Sequence, residues 1–300
     1  MNTYILTSRL GFQILILCIL FTPNAIAQKV KTKYNEHYRN DTLVSRGKET
    51  YSYDKKGNLI SHLWQGSKTD TLWINVRKNE FGNYKKGSAG LIINKLWDAK
   101  SNSWIPEIRI TNTYTSFNKL FTSISERKNA NGWVLVSRSQ MEYDKKHNLV
   151  KFSIERMDYQ SKNWKIQTIS NYKNNSKGNV IEATMEQYDI KSGTVRNSEK
   201  TKIEYDSLDR KTCYERNATR SYINYDNNGF VIAQFGEVKD SITGKTITTP
   251  QTTYVNNEFG DVIEETMIEP NGVKLQIKNY YTYSFSKRDR KRLLSKKTNK

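Results

Sequence analysis

Outside its first 27 residues the chain has one cysteine, Cys213, and the whole chain has four prolines and three histidines. A lone thiol can close no internal disulfide, so an exported form must hold by strand pairing and packing alone. His37, His62 and His147 stand in unrelated contexts: an entry segment, a return strand and a turn. No HExxH, CxxC, P-loop or GxSxG pattern occurs, which argues against zinc, nucleotide and nucleophile-elbow chemistry. We expect no catalytic residue, no metal, no cofactor and no enzymatic activity. The longest apolar run, Leu10 to Phe21, is too short for a membrane-spanning helix, which needs about 20 residues.

That run reads instead as a secretory leader. Arg9 precedes it and Ala25-Ile26-Ala27 follows it as a small-x-small cleavage pattern. Cleavage before Gln28 leaves a secreted or periplasmic protein of the cell envelope with no stable membrane span. Leu17 stands before Cys18, where a lipoprotein leader needs a small residue.

What remains is rich in tyrosine and positive charge. The chain carries 19 Tyr, 49 Lys or Arg and 30 Asp or Glu, for a net +19. Eight Lys or Arg against Asp289 fall in residues 287–300. Such a balance favours anionic partners, and it also serves solubility.

The tyrosines are periodic. The stretch from Trp133 to Ile154 (WVLVSRSQMEYDKKHNLVKFSI) reads as a strand, a turn opened by Asp144, and a return strand with a bulge after the turn. Alternation puts Trp133, Leu135, Ser137, Ser139, Met141 and Tyr143 on one face. The chain repeats this pattern with turn residues Gly57, Gly82, Asn118, His147, Gly178, Asp209, Gly229, Gly260 and Lys287, about 29 residues apart. Asn, His and Asp are the non-glycine types that best tolerate positive φ, so His147 is read as a turn residue and not as a catalyst. Tyr53, Tyr114, Tyr143, Tyr205 and Tyr225 lie four before the turn, and Tyr51, Tyr172 and Tyr254 six before it. Even offsets place them all on one face. Trp104, Trp133 and Trp164 follow a second turn, and Asp98, Asp158, Asp189 and Asp240 precede it. The recurring Asp54, Asp144, Asp206 and Asp226 are read as turn caps rather than calcium ligands.

YSYDKKGNLI at 51–60, MEYDKKHNLV at 141–150, IEYDSLDRKT at 203–212 and INYDNNGFVI at 223–232 resemble the tandem YD-like hairpin repeats of secreted proteins from Bacteroidetes-type bacteria. They are more distantly similar to the tyrosine-aspartate repeats of Rhs shell proteins. The resemblance implies architecture, not activity.

The expected organisation is a leader at 1–27, an entry segment at 28–48 that is either a lead-in strand or a disordered arm, a repeat domain at 49–287 and a basic tail at 288–300. The expected fold is all-β: one long antiparallel meander of about 16 to 18 strands, curled or superhelical. Two functions fit. One is a non-enzymatic scaffold that binds a cell-surface glycan or protein through an aromatic face carrying Trp104, Trp133, Trp164, Tyr143 and Tyr172. The other is an electrostatic binder of polyanions (acidic glycan, lipid headgroup or nucleic acid) that uses the basic surface and tail, Lys291 and Arg292 included.

Overall fold

The computed structural model describes residues 29–67, 72–217, 219–239, 243–269 and 271–284. Among them there is no helix. The strands are β1 (Lys29–Arg39), β2 (Thr42–Tyr53), β3 (Leu59–Ser67), β4 (Ile74–Lys85), β5 (Ser88–Asp98), β6 (Ser103–Tyr114), β7 (Leu120–Asn129), β8 (Gly132–Tyr143), β9 (Leu149–Asp158) and β10 (Asn163–Asn174). They continue with β11 (Val180–Tyr188), β12 (Val195–Tyr205), β13 (Lys211–Arg216), β14 (Thr219–Tyr225), β15 (Val231–Lys239), β16 (Thr246–Thr248), β17 (Thr252–Asn256), β18 (Val262–Ile268) and β19 (Lys274–Ser284). The compact unit is Val30–Thr282. A second unit comprises the two chain ends, of which Lys29, Tyr283 and Ser284 are described, all in strand.

The antiparallel meander is as expected, but the sheet is neither open nor superhelical: β1 hydrogen-bonds to both β2 and β19 and closes it. Because β16 and β17 lie one after the other along β15, the 19 strands occupy one position fewer around the ring. Closure removes both edges, the liability of a long sheet. At the seam Asn40 N donates to the Lys274 carbonyl at 2.8 Å, Lys274 N donates to Asn40 Oδ1 at 2.9 Å, and Tyr280 donates to Glu36 at 3.2 Å. The entry segment is therefore strand: β1 and the first half of β2. The leader and the basic tail lie outside the described residues.

The turns explain the tyrosine-aspartate repeat. Asp144 Oδ1 accepts from the amides of Lys146 and Asn148, both at 2.8 Å, and Asp206 and Asp226 make the same pair of bonds. Asn175 and Asn257 do so in other units. Positive φ is found at Gly57, Asn118, His147, Gly178, Asp209, Gly229 and Gly260. Gly82 is a correction: it lies inside β4, and the turn is the pair Lys86-Gly87, with φ of 49° and 83°. A two-residue turn with both φ positive lets these strands run four residues further. Lys287 lies outside the described residues.

The tyrosines four residues before the turn tie their units to the preceding strand. The hydroxyls of Tyr53, Tyr114, Tyr143 and Tyr205 donate to the carbonyls of Val30, Ala89, Leu120 and Val180 at 2.9, 2.7, 2.6 and 2.9 Å. Asn174 and Asn256 take over this role where tyrosine is absent.

The wall is one layer thick. No described side chain is below 2% exposed, so no packed core fills the ring. Eighteen strands spaced at ~4.8 Å and tilted ~40° enclose a circle on the order of 35 Å across, too wide for opposite side chains to meet. The tyrosine face is the more enclosed. Burial is the leading cause raising the phenol pKa of Tyr51, Tyr53, Tyr114, Tyr143, Tyr172, Tyr205, Tyr225 and Tyr254. On the other face the phenols of Tyr38, Tyr188 and Tyr222 have far less protein around them, and at Tyr38 and Tyr188 a hydrogen bond to a glutamate is the leading cause. The tyrosine face therefore lines the inside.

Candidate functional site

The tryptophans and tyrosines expected on one surface are split between two. In β8, Ser137 pairs with Ser125, but Leu135 pairs with the next residue, Glu126, so Val136 is an inserted bulge residue. One extra residue inverts the alternation. Trp133 and Leu135 face outward, while Ser137, Met141 and Tyr143 face inward. Glu107 in β6 and Gln167 in β10 are inserted in the same way, which turns Trp104 and Trp164 outward and leaves Tyr172 inward. The five residues do not form one aromatic face.

Each outward tryptophan is engaged. The Arg109 guanidinium sits 4.8 Å over the Trp133 ring and Arg138 4.8 Å over Trp164, and Trp104 packs edge-on against Trp97 at 5.1 Å. Arg109 also grips Glu126 through two bonds of 2.7 Å, and Arg138 pairs with Glu155. Tyr143 is tied to Leu120 and packs edge-on against Phe117 at 5.5 Å. These contacts build the wall. Lys291 and Arg292 lie outside the described residues.

The inner wall of β1 to β5 carries a cluster that motif reading passed over. Tyr51 pairs with His62 and Glu49 with Trp64 across β2 and β3, and His62 and Trp64 then pair with Asn79 and Arg77 in β4. The Tyr51 and His62 rings stack with centroids 4.1 Å apart, and the Trp64 ring lies tilted against His62 with centroids 3.4 Å apart, so His62 touches both. The Glu49 carboxylate accepts from Tyr51 at 2.7 Å and contacts His62 Nε2 at 2.8 Å. Lys33 lies 3.9 Å from its other oxygen. Burial alone would raise the Glu49 pKa, but bonds from His62 and Tyr51, with the charge of Lys33, outweigh it and hold the carboxyl below the ordinary range. Burial, then the Glu49 carboxylate, pushes the Tyr51 phenol far up, and burial pushes Tyr281 up to about 12.

Beside the stack, Asn79 and Asn94 pair across β4 and β5. The Oδ1 of each is buried and accepts no hydrogen bond from the described residues. The site thus holds three contacting aromatic rings and a fixed carboxylate, beside two amide oxygens that are buried away from solvent. The signal was present in the sequence: Glu49-x-Tyr51-x-Tyr53 faces His62-x-Trp64 across the turn at Gly57. Among the described residues no group of three His, Cys, Asp or Glu could hold a metal. Cys213 is a buried free thiol that accepts from Arg220 Nε at 3.2 Å.

The outward face is charged at mid-strand. Besides the two arginine pairs, Glu80 bridges Lys78 and Lys95 at 2.9 and 2.7 Å, and Lys200 pairs with Glu182 at 3.0 Å. A lipid-facing barrel needs an apolar band there, and each Lys or Arg at the bilayer midplane costs about 2–4 kcal/mol. These outward charges speak against a lipid-facing wall. No described helix is long and apolar enough to cross a membrane.

No family model and no curated protein matches the sequence. Among solved structures the chain is similar to a porin-like protein from Bacteroides uniformis, at 9% identity over 84% of this chain and 98% of that one, with a TM-score of 0.42. A porin-like protein from Bacteroides vulgatus matches at 9% identity over the same shares, with a TM-score of 0.29. A protein of unknown function from Bacteroides fragilis matches at 11% identity over 42% of this chain and 91% of that one, with a TM-score of 0.36.

Proposed function

We propose that this chain is a non-enzymatic, YD-like repeat barrel of the cell envelope, standing in water, that binds glycan on its inner wall at the Tyr51–His62–Trp64 stack. The observation that carries this reading is the cluster of three aromatic rings beside the Glu49 carboxylate. A sugar ring presents apolar C–H faces to aromatic rings and hydroxyl donors at its edge. The leader reading of residues 1–27 supports export.

The test is a neutral-glycan array probed with the mature protein (28–300) and with Trp64→Ala at two salt concentrations. Trp64→Ala is expected to cost about 2 kcal/mol of affinity for any neutral oligosaccharide bound, with little effect of salt and an unchanged far-UV spectrum. Equal binding by the variant would sink the reading.

A further inference from the structure

A second part of the inner wall carries three cations, Arg127, Arg156 and Lys165, that make no ion pair with the described residues. In β7 to β10, Ser125, Ser137, Arg156 and Lys165 form one continuous cross-strand row: Ser125 pairs with Ser137, Ser137 with Arg156, and Arg156 with Lys165. Arg127 lies two residues along from Ser125 and so shares the face. Two cations directly opposite one another destabilise a sheet. No carboxylate among the described residues forms an ion pair with Arg127, Arg156 or Lys165. Asp158, beside the row, feels the charge of Lys165, but its carboxylate is committed to its own turn, accepting from Gln160 N at 3.0 Å and Ser161 Oγ at 2.7 Å.

The outward face of the same strands is an internal control. There Arg109 is paired with Glu126, Arg138 with Glu155, and Lys151 with Glu142 at 3.0 Å. On these strands those three outward cations are paired, and inward Arg127, Arg156 and Lys165 are not. The inner row also places the Ser125, Ser137 and Ser139 hydroxyls beside its cations, so that charge and hydrogen-bond donors converge on one strip.

We propose that this row is an anion-binding patch, taking the sulfate or carboxylate groups of an acidic polysaccharide. It rests on the reading of the inner wall as the glycan-binding surface, at a place separate from the aromatic stack. Neighbouring strands lie ~4.8 Å apart, so the row from Ser125 to Lys165 spans on the order of 15 Å. That is long enough to meet several groups of one chain rather than a single ion.

The test titrates the mature protein with a heparin-derived octasaccharide and, separately, with inorganic sulfate, each at two salt concentrations. The variants are Arg156→Glu, Arg127→Gln and, as the outward control, Lys151→Gln. Arg156→Glu is expected to weaken octasaccharide binding about tenfold or more and to flatten its salt dependence. Its melting temperature should stay level or rise, because the new carboxylate faces Lys165; this separates lost binding from lost folding. Arg127→Gln should weaken binding in the same direction, and Lys151→Gln should leave it within about twofold. Unchanged binding in both inner variants, or an equal loss in Lys151→Gln, would overturn the proposal. So would inorganic sulfate competing at the same concentration as the octasaccharide. Sulfated binding that depends on Arg156 while no neutral glycan binds would leave this patch standing and remove the aromatic site; the converse would do the opposite.

Discussion

The Tyr143 hydroxyl donates to the Leu120 carbonyl at 2.6 Å, from the end of one hairpin strand to the start of the strand before it. The bond recurs from unit to unit, so the tyrosine of the repeat is a tether between neighbouring hairpins. Tyr143→Phe keeps the ring against Phe117 and removes only the bond. It should cost about 1 kcal/mol in urea unfolding. Tyr159 makes a similar bond to Leu135 at 2.6 Å but is 60% exposed, so water competes for it. Tyr159→Phe should cost less than about 0.5 kcal/mol. Equal losses at both positions would show that the tether has no special weight.

The left-handed turn positions give opposite outcomes for opposite substitutions. Gly178 has φ of +88°, and an added Cβ would sit 2.5 Å from Asn148 Oδ1. Gly178→Val should therefore destabilise by at least about 1–2 kcal/mol. His147 has φ of 66°, so glycine would relieve strain there. The imidazole, however, stacks on Phe117 at 3.9 Å and 11°, a contact worth about 0.5–1.5 kcal/mol. His147→Gly should lie within about 1 kcal/mol of the parent. Chemical denaturation of both variants would reveal a misplaced turn if the two changes were equal.

Acid should loosen the wall through carboxyls held ionised. Glu49 has its pKa lowered from about 4.5, and Asp144 from about 3.8, the latter first by the Asn148 amide and then by the Asn148 side chain. A carboxyl with a depressed folded-state pKa contributes stability that is present above its unfolded pKa and is lost as pH falls through the folded value. The melting temperature should therefore be level above pH ~5 and fall progressively below ~4.5. Asp144→Asn should be close to neutral at pH 7, because Asn175 and Asn257 already close equivalent turns, and its melting temperature should fall less in acid. A variant as acid-sensitive as the parent would remove Asp144 from the account.

The hairpin unit was legible because its causes are local. An Asp that can bond two amides ahead marks Asp144 and Asp206, positive φ selects Asn118, His147 and Asp209, and a period of two aligns Tyr143 with Tyr205. At Gly82 the local rule failed, because Lys86-Gly87 supplies an equally good turn four residues on, and the strand pairing chose between them. Strand parity across Val136 was not legible. A bulge is set by how two strands meet over their whole length, and once inserted it sent Trp133 outward while Tyr143 stayed inward. The inner site has the same origin: Glu49, Tyr51, His62 and Trp64 are unremarkable in order, and only the β2–β3 and β3–β4 registers bring them beside Asn79 and Asn94. The amino-acid sequence alone determined the repeat, its turns and its all-β character. The tertiary structure decided that β1 meets β19, because closing the ring depends on twist and strand tilt summed over every repeat, and with closure came the distinction between an inner and an outer wall.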